Sequence, residues 1–318
     1  MIKFNAIEQK GVLVKSMWFW FSVIALIFWS GSDLFSKIGC QDKSDPYSHL
    51  KMVMAVGLVM GIHAFIEIFF AHVDISWHVL LKYLPVSLLY ISSMAIGYLG
   101  LRYIELSISS PICNSSGAIV AILTLAVDGL GSIVAMQLLA VGFVIVGIIG
   151  LGITEATEDE ELRKARQEAC NHRYTKSVIA ILIPIIYCLL DALGTFADSR
   201  VLLTLNEDSA NTAYELTFLI VGICCAIYTL GIKKQKLVFK QEVPKYAGAL
   251  CETAGQYAYI YALADEAHVA LAAPIISAYC VLSVVWSRLI LKEKLSFKHY
   301  AAIVIVVIGI VILGLYDA

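Results

Sequence analysis

Long apolar runs broken by short polar joints govern this sequence. Windows of about 20 predominantly apolar residues carry a helix across roughly 30 Å of hydrocarbon. They fall approximately at 17–37, 49–71, 79–101, 107–127, 133–153, 177–199, 209–232, 243–264, 269–291 and 298–316. The joints near Gly129 and Asp265 are short and mark the least defined boundaries. The runs are continuous and too long for the alternating strands of a barrel. The pattern therefore predicts an all-α integral membrane protein with ten transmembrane helices. The first run reads as a spanning helix rather than a cleaved signal, because no small-x-small site ends it and it continues through "FWSGSDLFSK".

Composition agrees with that class and adds exclusions. Of 318 residues, 60% are hydrophobic and only 15% charged, outside the range of a soluble domain. A net charge of −2 selects no partner, and no basic patch interleaved with aromatics points to nucleic acid. The eight cysteines are scattered without a CxxC or other ligand spacing, so they read as small apolar packers or free thiols, with no metal site. Nothing in the sequence calls for a cofactor.

Numbered in order, the odd loops hold 18 of the 23 Lys and Arg. Cytoplasmic loops are the positively charged ones, which places both termini outside, in a multi-pass protein of the cell membrane. Lys3, Lys10 and Lys15 in the tail match Lys37, Lys43 and Lys51 beyond the first window, so the later loops decide the orientation. The fifth loop, "TEATEDEELRKARQEACNHRYTKS", is the one long charged connection and reads as a solvated helix or linker. It divides the chain into residues 1–154, a cytoplasmic linker at 155–176 and residues 177–318, with five windows in each outer part.

The two parts share sparse features. Laying Asp33 on Asp191 sets Trp29 on Tyr187, and further on Pro111-Ile112 falls on Pro274-Ile275 and Tyr98 on Tyr261. A five-helix repeat is odd, so its second copy is inverted in the membrane, a common transporter construction. The stretches "FWSGSDLFSK" and "APIISAYCVLSVVWSRLILKEKLSFKHYAAIVIVVIGIVILGL" resemble the drug/metabolite transporter superfamily, and within it the EamA-type ten-helix transporters. The second stretch carries the resemblance: a proline entry, a helix ending in Leu-x-Glu-x-Leu (here Leu291-Lys292-Glu293-Lys294-Leu295) and a glycine-rich closing helix. The first half departs from this pattern, reading "AVDGLGS" where the motif would fall, so the motif is taken as a helix stop. The resemblance implies a secondary transporter with a central cavity between its halves, exporting or exchanging small organic solutes. It does not fix the substrate.

Polar side chains within the windows are the candidate site, since a charge at mid-bilayer costs roughly 2.5–3.5 kcal/mol and is retained facing a cavity or a partner. Glu252, Gln256 and Tyr259 share one helix face at i, i+4 and i+7. Desolvation disfavours the charged form of Glu252, which could carry a proton, hold a substrate ammonium, or as a protonated acid tie two helices. Tyr187, Asp191 and Thr195 form a second stripe, with Asp198 near the helix end and in water, and a tyrosine beside a carboxylate suits a cation. Trp29 and Asp33 mirror that pair, although Lys37 one turn on can neutralise Asp33. Glu215 either faces the cavity or reaches water, while Asn114 and Tyr279 follow prolines where helices begin. His63 and Glu67 at i, i+4 read as a hydrogen-bonded pair between helices, and Trp18 and Trp20 as interfacial anchors.

Intramembrane protease, His-Glu-x-x-His, P-loop and dinucleotide motifs are all absent, so the reading is a transporter and not an enzyme. The alternatives are a polytopic enzyme acting on a lipid-linked substrate and a non-transporting scaffold or sensor. Carboxylates outnumber bases at mid-depth, which favours a cationic or zwitterionic solute or protons as coupling ion; monomer and homodimer both stay open. The charge distribution makes one direct prediction. Cysteines placed at Ala318 should label from outside intact cells and cysteines in the fifth loop should not, and the reverse pattern overturns the orientation.

Overall fold

The structure is a computed structural model that describes residues 17–41, 45–103, 106–129, 134–157, 178–291 and 296–317. Lys3, Lys10, Lys15, Lys43, most of the charged linker and positions 292–295 of the Leu-x-Glu-x-Leu step lie outside the described residues. The regular structure among the described residues is helical: α1 (Met17–Cys40), α2 (Ser48–Phe69), α3 (Trp77–Gly100), α4 (Leu106–Cys113), α5 (Ser116–Asp128), α6 (Ala135–Ala156), α7 (Val178–Val201), α8 (Glu207–Ala226), α9 (Phe239–Leu263), α10 (Val269–Ser277), α11 (Tyr279–Leu289) and α12 (Phe297–Asp317). Local chemistry sets several of these ends. Ser76 caps α3 by accepting from the Val79 N–H, Asn206 caps α8 by accepting from Asp208 and Ser209, and Gly129 at φ 74° ends α5 in a left-handed conformation.

By length and composition, seven stretches among the described residues can cross a membrane. Ala135–Gly150 and Phe297–Leu313 are apolar but shorter, and α9 carries Glu242, Lys245 and Glu252 within its length. Two windows that read as single helices are broken. The 107–127 window splits into α4 and α5 four residues after Pro111, and the 269–291 window into α10 and α11 four residues after Pro274. At the first break Asn114 donates to the Ser110 carbonyl and Ser115 Oγ to the Pro111 carbonyl, and at the second the Ala278 N–H turns to the Pro274 carbonyl. Backbone groups freed inside a span are thus satisfied within the protein.

Helix α1 runs along α9, α3 along α7, α2 against α8, α5 against α10 and α6 against α12. Exchanging each helix of the first half for its counterpart in the second returns the same principal pairings. The contacts repeat at residue level. A Cβ on Gly57 would lie 2.6 Å from the Phe218 carbonyl, and one on Gly222 3.4 Å from the Val53 carbonyl. Likewise Gly147 faces Val306 as Gly309 faces Val144, and Gly255 lies under the Trp29 ring as Gly97 lies under the Tyr187 ring. The ring contacts set Tyr98 opposite Gln256, not opposite Tyr261 as the thin sequence identity suggests, because glycine and aromatic must meet at one level. Trp20 is 60% exposed, as an interfacial anchor should be, but Trp18 is 1% exposed and stacks on His268 with ring centroids 4.9 Å apart.

Small residues at a helix crossing let the backbones touch, and added volume there has nowhere to go. Gly57→Val should therefore lower stability by about 1–3 kcal/mol. Gly142→Ala, where a new Cβ meets nothing within 4 Å, should be neutral in the same thermal melt. Equal melting temperatures for the two variants would show that the crossing tolerates expansion.

Candidate functional site

The aligned and crossing helices leave a cleft between the halves, enclosing about 940 Å³ of atom-free space with the open region at its mouth included. Helices α1, α3, α7 and α9 supply its long walls, and the broken helices α4–α5 and α10–α11 reach into it at their interruptions. Its lining includes Asp33, Asp191 and Glu252 and, among the described residues, no Lys, Arg or His.

Each carboxylate is held by a hydroxyl from another helix. Asp33 Oδ2 accepts from Ser110 Oγ of α4 at 2.5 Å and from Ser283 Oγ of α11 at 2.8 Å. Asp191 Oδ2 accepts from Ser116 Oγ of α5 at 2.7 Å, and Glu252 Oε2 from Ser32 Oγ of α1 at 2.7 Å. These charge-compatible bonds cost no water and fix each acid against a neighbouring helix. Lys37, which could have neutralised Asp33, donates at 2.7 Å to the Leu101 carbonyl.

Aromatic rings fill much of the remaining wall. Trp29 tilts over Tyr259 at 4.9 Å and meets the edge of Tyr279 at 5.9 Å. Tyr259 and Tyr90 join hydroxyl to hydroxyl, and Tyr90 also donates to Thr195 Oγ1 at 3.0 Å. Beyond them Tyr83 donates at 2.7 Å to Asp198, which is fully buried. The expectation of a wet Asp198 is thus corrected: α3 packs over the end of α7 and covers it. Among the described residues, three buried polar atoms of the cleft lining have no hydrogen-bond partner, Ser36 Oγ, Tyr98 Oη and Gln256 Nε2, while Trp29 Nε1 is turned toward Glu252. All three unpartnered atoms can donate, and all lie on α1, α3 or α9.

The cleft brings together Trp29, Asp33, Asn114, Tyr187, Asp191, Glu252, Gln256, Tyr259 and Tyr279. Glu215 is the exception among the candidates. It is buried outside the lining and accepts from His63 Nδ1 at 2.9 Å, whereas His63 Nε2 stands 3.6 Å from Glu67. The partner expected for His63 one turn away is therefore the weaker of two. The lining hydroxyls of Ser32, Ser110 and Ser116, the Ser283 hydroxyl and Tyr90, Tyr98 and Tyr214 escape a reading of the sequence. Serines are common in such helices, and no spacing rule ties one to a carboxylate on another helix.

Comparison with known proteins follows the same lines. A solved crystal structure matches over 94% of this chain and 97% of its own, with a TM-score of 0.65 at 13% identity, a likeness of fold alone. No curated protein matches in sequence. The profile of the EamA-like transporter family matches residues 178–315. The second half of this multi-pass membrane protein is thus similar to the EamA-like transporter family of the drug/metabolite transporter superfamily, a likeness that suggests a membrane transporter of small solutes.

Proposed function

We propose that the chain is a secondary transporter, an exporter or exchanger, that carries a small zwitterionic solute through the central cleft by alternating access. One observation carries the choice of solute: three carboxylates and three unpartnered donors face a single cleft without a basic side chain among its described lining. A cationic group on the solute meets Asp33, Asp191 or Glu252, and the aromatic walls favour a cation as well. An acceptor group on the same molecule meets Tyr98 Oη and Gln256 Nε2, since leaving buried donors unpaired costs about 1–3 kcal/mol each. A plain amine satisfies only the first set and a plain acid only the second.

Alternating access rests on the paired halves. The reciprocal contacts Gly57 with Gly222, Gly147 with Val306 and Val144 with Gly309 support two five-helix repeats in opposite orientations, and hence ten spans that include α6, α9 and α12. Glu252 is the coupling acid in this reading. A proton and the solute cation compete for it, so each leaves when the other binds and exchange results.

Three measurements test the proposal. In a binding screen on purified protein, amino acids should bind about tenfold or more tightly than the matching decarboxylated amines and deaminated acids. Equal binding by the amines would remove the acceptor role of the donors. Asp191→Asn should weaken binding by about tenfold or more without lowering the melting temperature. Glu252→Gln keeps shape and hydrogen bonding but not titration, so the protein should fold and bind with no pH dependence. Full pH dependence in folded Glu252→Gln would make Glu252 a helix tie.

A further inference from the structure

We propose that His63, held between Glu215 and Glu67, forms a proton-binding site of its own on the outer side of the α2–α8–α9 junction, apart from the solute cleft. None of the three lines the cleft. His63 Nδ1 stands 2.9 Å from both Glu215 oxygens, and Nε2 stands 3.6 Å from Glu67 Oε1. One base thus serves two acids. With the imidazole protonated and both acids ionised the trio keeps one net negative charge, which a further proton cancels. Residual charge of this kind within a span is costly, and the proton is the ligand that removes it without needing space.

The trio is graded in access. The His63 side chain is 28% exposed and that of Glu67 15%, while Glu215 is at 0%. A proton taken up at Nε2 on the Glu67 side is matched by release of the Nδ1 proton to Glu215, so charge passes from the accessible acid to the buried one while the ring stays in place. The far end is built to receive it. Asn211 donates from Nδ2 to Glu215 Oε1 at 3.1 Å, and its own Oδ1 is buried without a partner. Half a turn of that amide lets a protonated Glu215 donate to Oδ1, so the site has a hydrogen-bonded form for each position of the proton.

The surroundings are otherwise simple. The charged groups acting on the ring are Glu215 from α8 and Glu67 from its own helix. Helix α9 brings the phenol of Tyr257, its ring at 74° to the imidazole with centroids 5.5 Å apart. Helices α1 and α3, which also pack on α2, bring it no acid or base among the described residues. The site reaches the cleft through the preceding residue in the chain: Tyr214 lines the cleft and donates to Met94 of α3, so a change at Glu215 bears on the α3–α8 contact.

Nitrogen-15 NMR of histidine-labelled protein in lipid nanodiscs reads the proton directly and needs no solute. The imidazole whose signal is missing in His63→Gln should change protonation state between pH 5 and 9. The transition should be displaced by at least one pH unit in Glu215→Gln and in Glu67→Gln. The less deeply buried Glu67 provides a variant if loss of Glu215 prevents folding. In Glu252→Gln, which tests the cleft instead, the His63 transition should stay where it is. A His63 ring in one state throughout, a transition unmoved by both acid variants, or a transition that disappears with Glu252→Gln would each overturn the separate site.

Discussion

A carboxyl group inside an apolar bundle must find its hydrogen bonds within the protein, because hydrocarbon offers none. Asp33, Asp191 and Glu252 meet that requirement with serine hydroxyls, and each serine stands on a different helix from the acid it serves. The bonds therefore set helix positions: α1 to α4 and α11, α7 to α5, and α9 to α1. Two of these serines, Ser110 and Ser116, lie on either side of the break between α4 and α5, which lets one interrupted helix serve acids on both α1 and α7. A hydroxyl donates once. Each acid is tied through a single oxygen, and the tie that builds the bundle leaves the second oxygen free of these bonds.

The pairing of halves is exact enough in places to show where they differ. The register that sets Gly97 opposite Gly255 and Trp29 opposite Tyr187 also sets Met94 opposite Glu252 and Tyr98 opposite Gln256. Both halves carry an aromatic and an aspartate on their first helix, but only the second half adds a glutamate to the cleft. Met94 accepts from Tyr214 and closes the α3–α8 contact, while Glu252 takes its bond from Ser32 of α1. In the proposed cycle this position supplies the single coupling acid.

Much of this arrangement could be read from residue order alone. The apolar windows place the helices, and the stripes Glu252–Gln256–Tyr259 and Tyr187–Asp191–Thr195 were legible because the helical period alone puts their members on one face. Features decided between helices were not. The apolar windows run straight through the breaks after Pro111 and Pro274, since proline occurs in spanning helices with and without interruption; Pro85, Pro184 and Pro244 lie inside continuous ones. From its place in the first turns of its window Glu215 could equally face the cleft or reach water, and only the packing of α2 on α8 turns it to His63. Asp198 looked exposed by position, and the phenol that covers it comes from a helix more than a hundred residues earlier in the chain.

The ends of the cleft are bounded by different chemistry, and this bears on how the proposed motion would proceed. Toward the end where α9 terminates stand the uncharged contacts Tyr90–Tyr259 and Tyr90–Thr195, with Tyr83–Asp198 beyond. Toward the end where α1 terminates, Lys51 bridges Asp45 at 2.8 Å and Glu242 at 3.9 Å, Lys245 meets Glu242 at 3.3 Å, and Arg102 donates to the Asp45 carbonyl and Ser48. Lys51, Lys245 and both acids are buried. Hydroxyl pairs that separate re-form their bonds with water at little net cost, since each is worth about 1 kcal/mol. Separated ions left in a dry interior cost roughly 3–5 kcal/mol. Opening the ionic end therefore carries the larger penalty unless water enters as the helices part, whereas each contact at the tyrosine end costs about 1 kcal/mol to exchange for water. A transporter with such ends has two unlike barriers, and a solute that screens or replaces buried charge would act on one of them only.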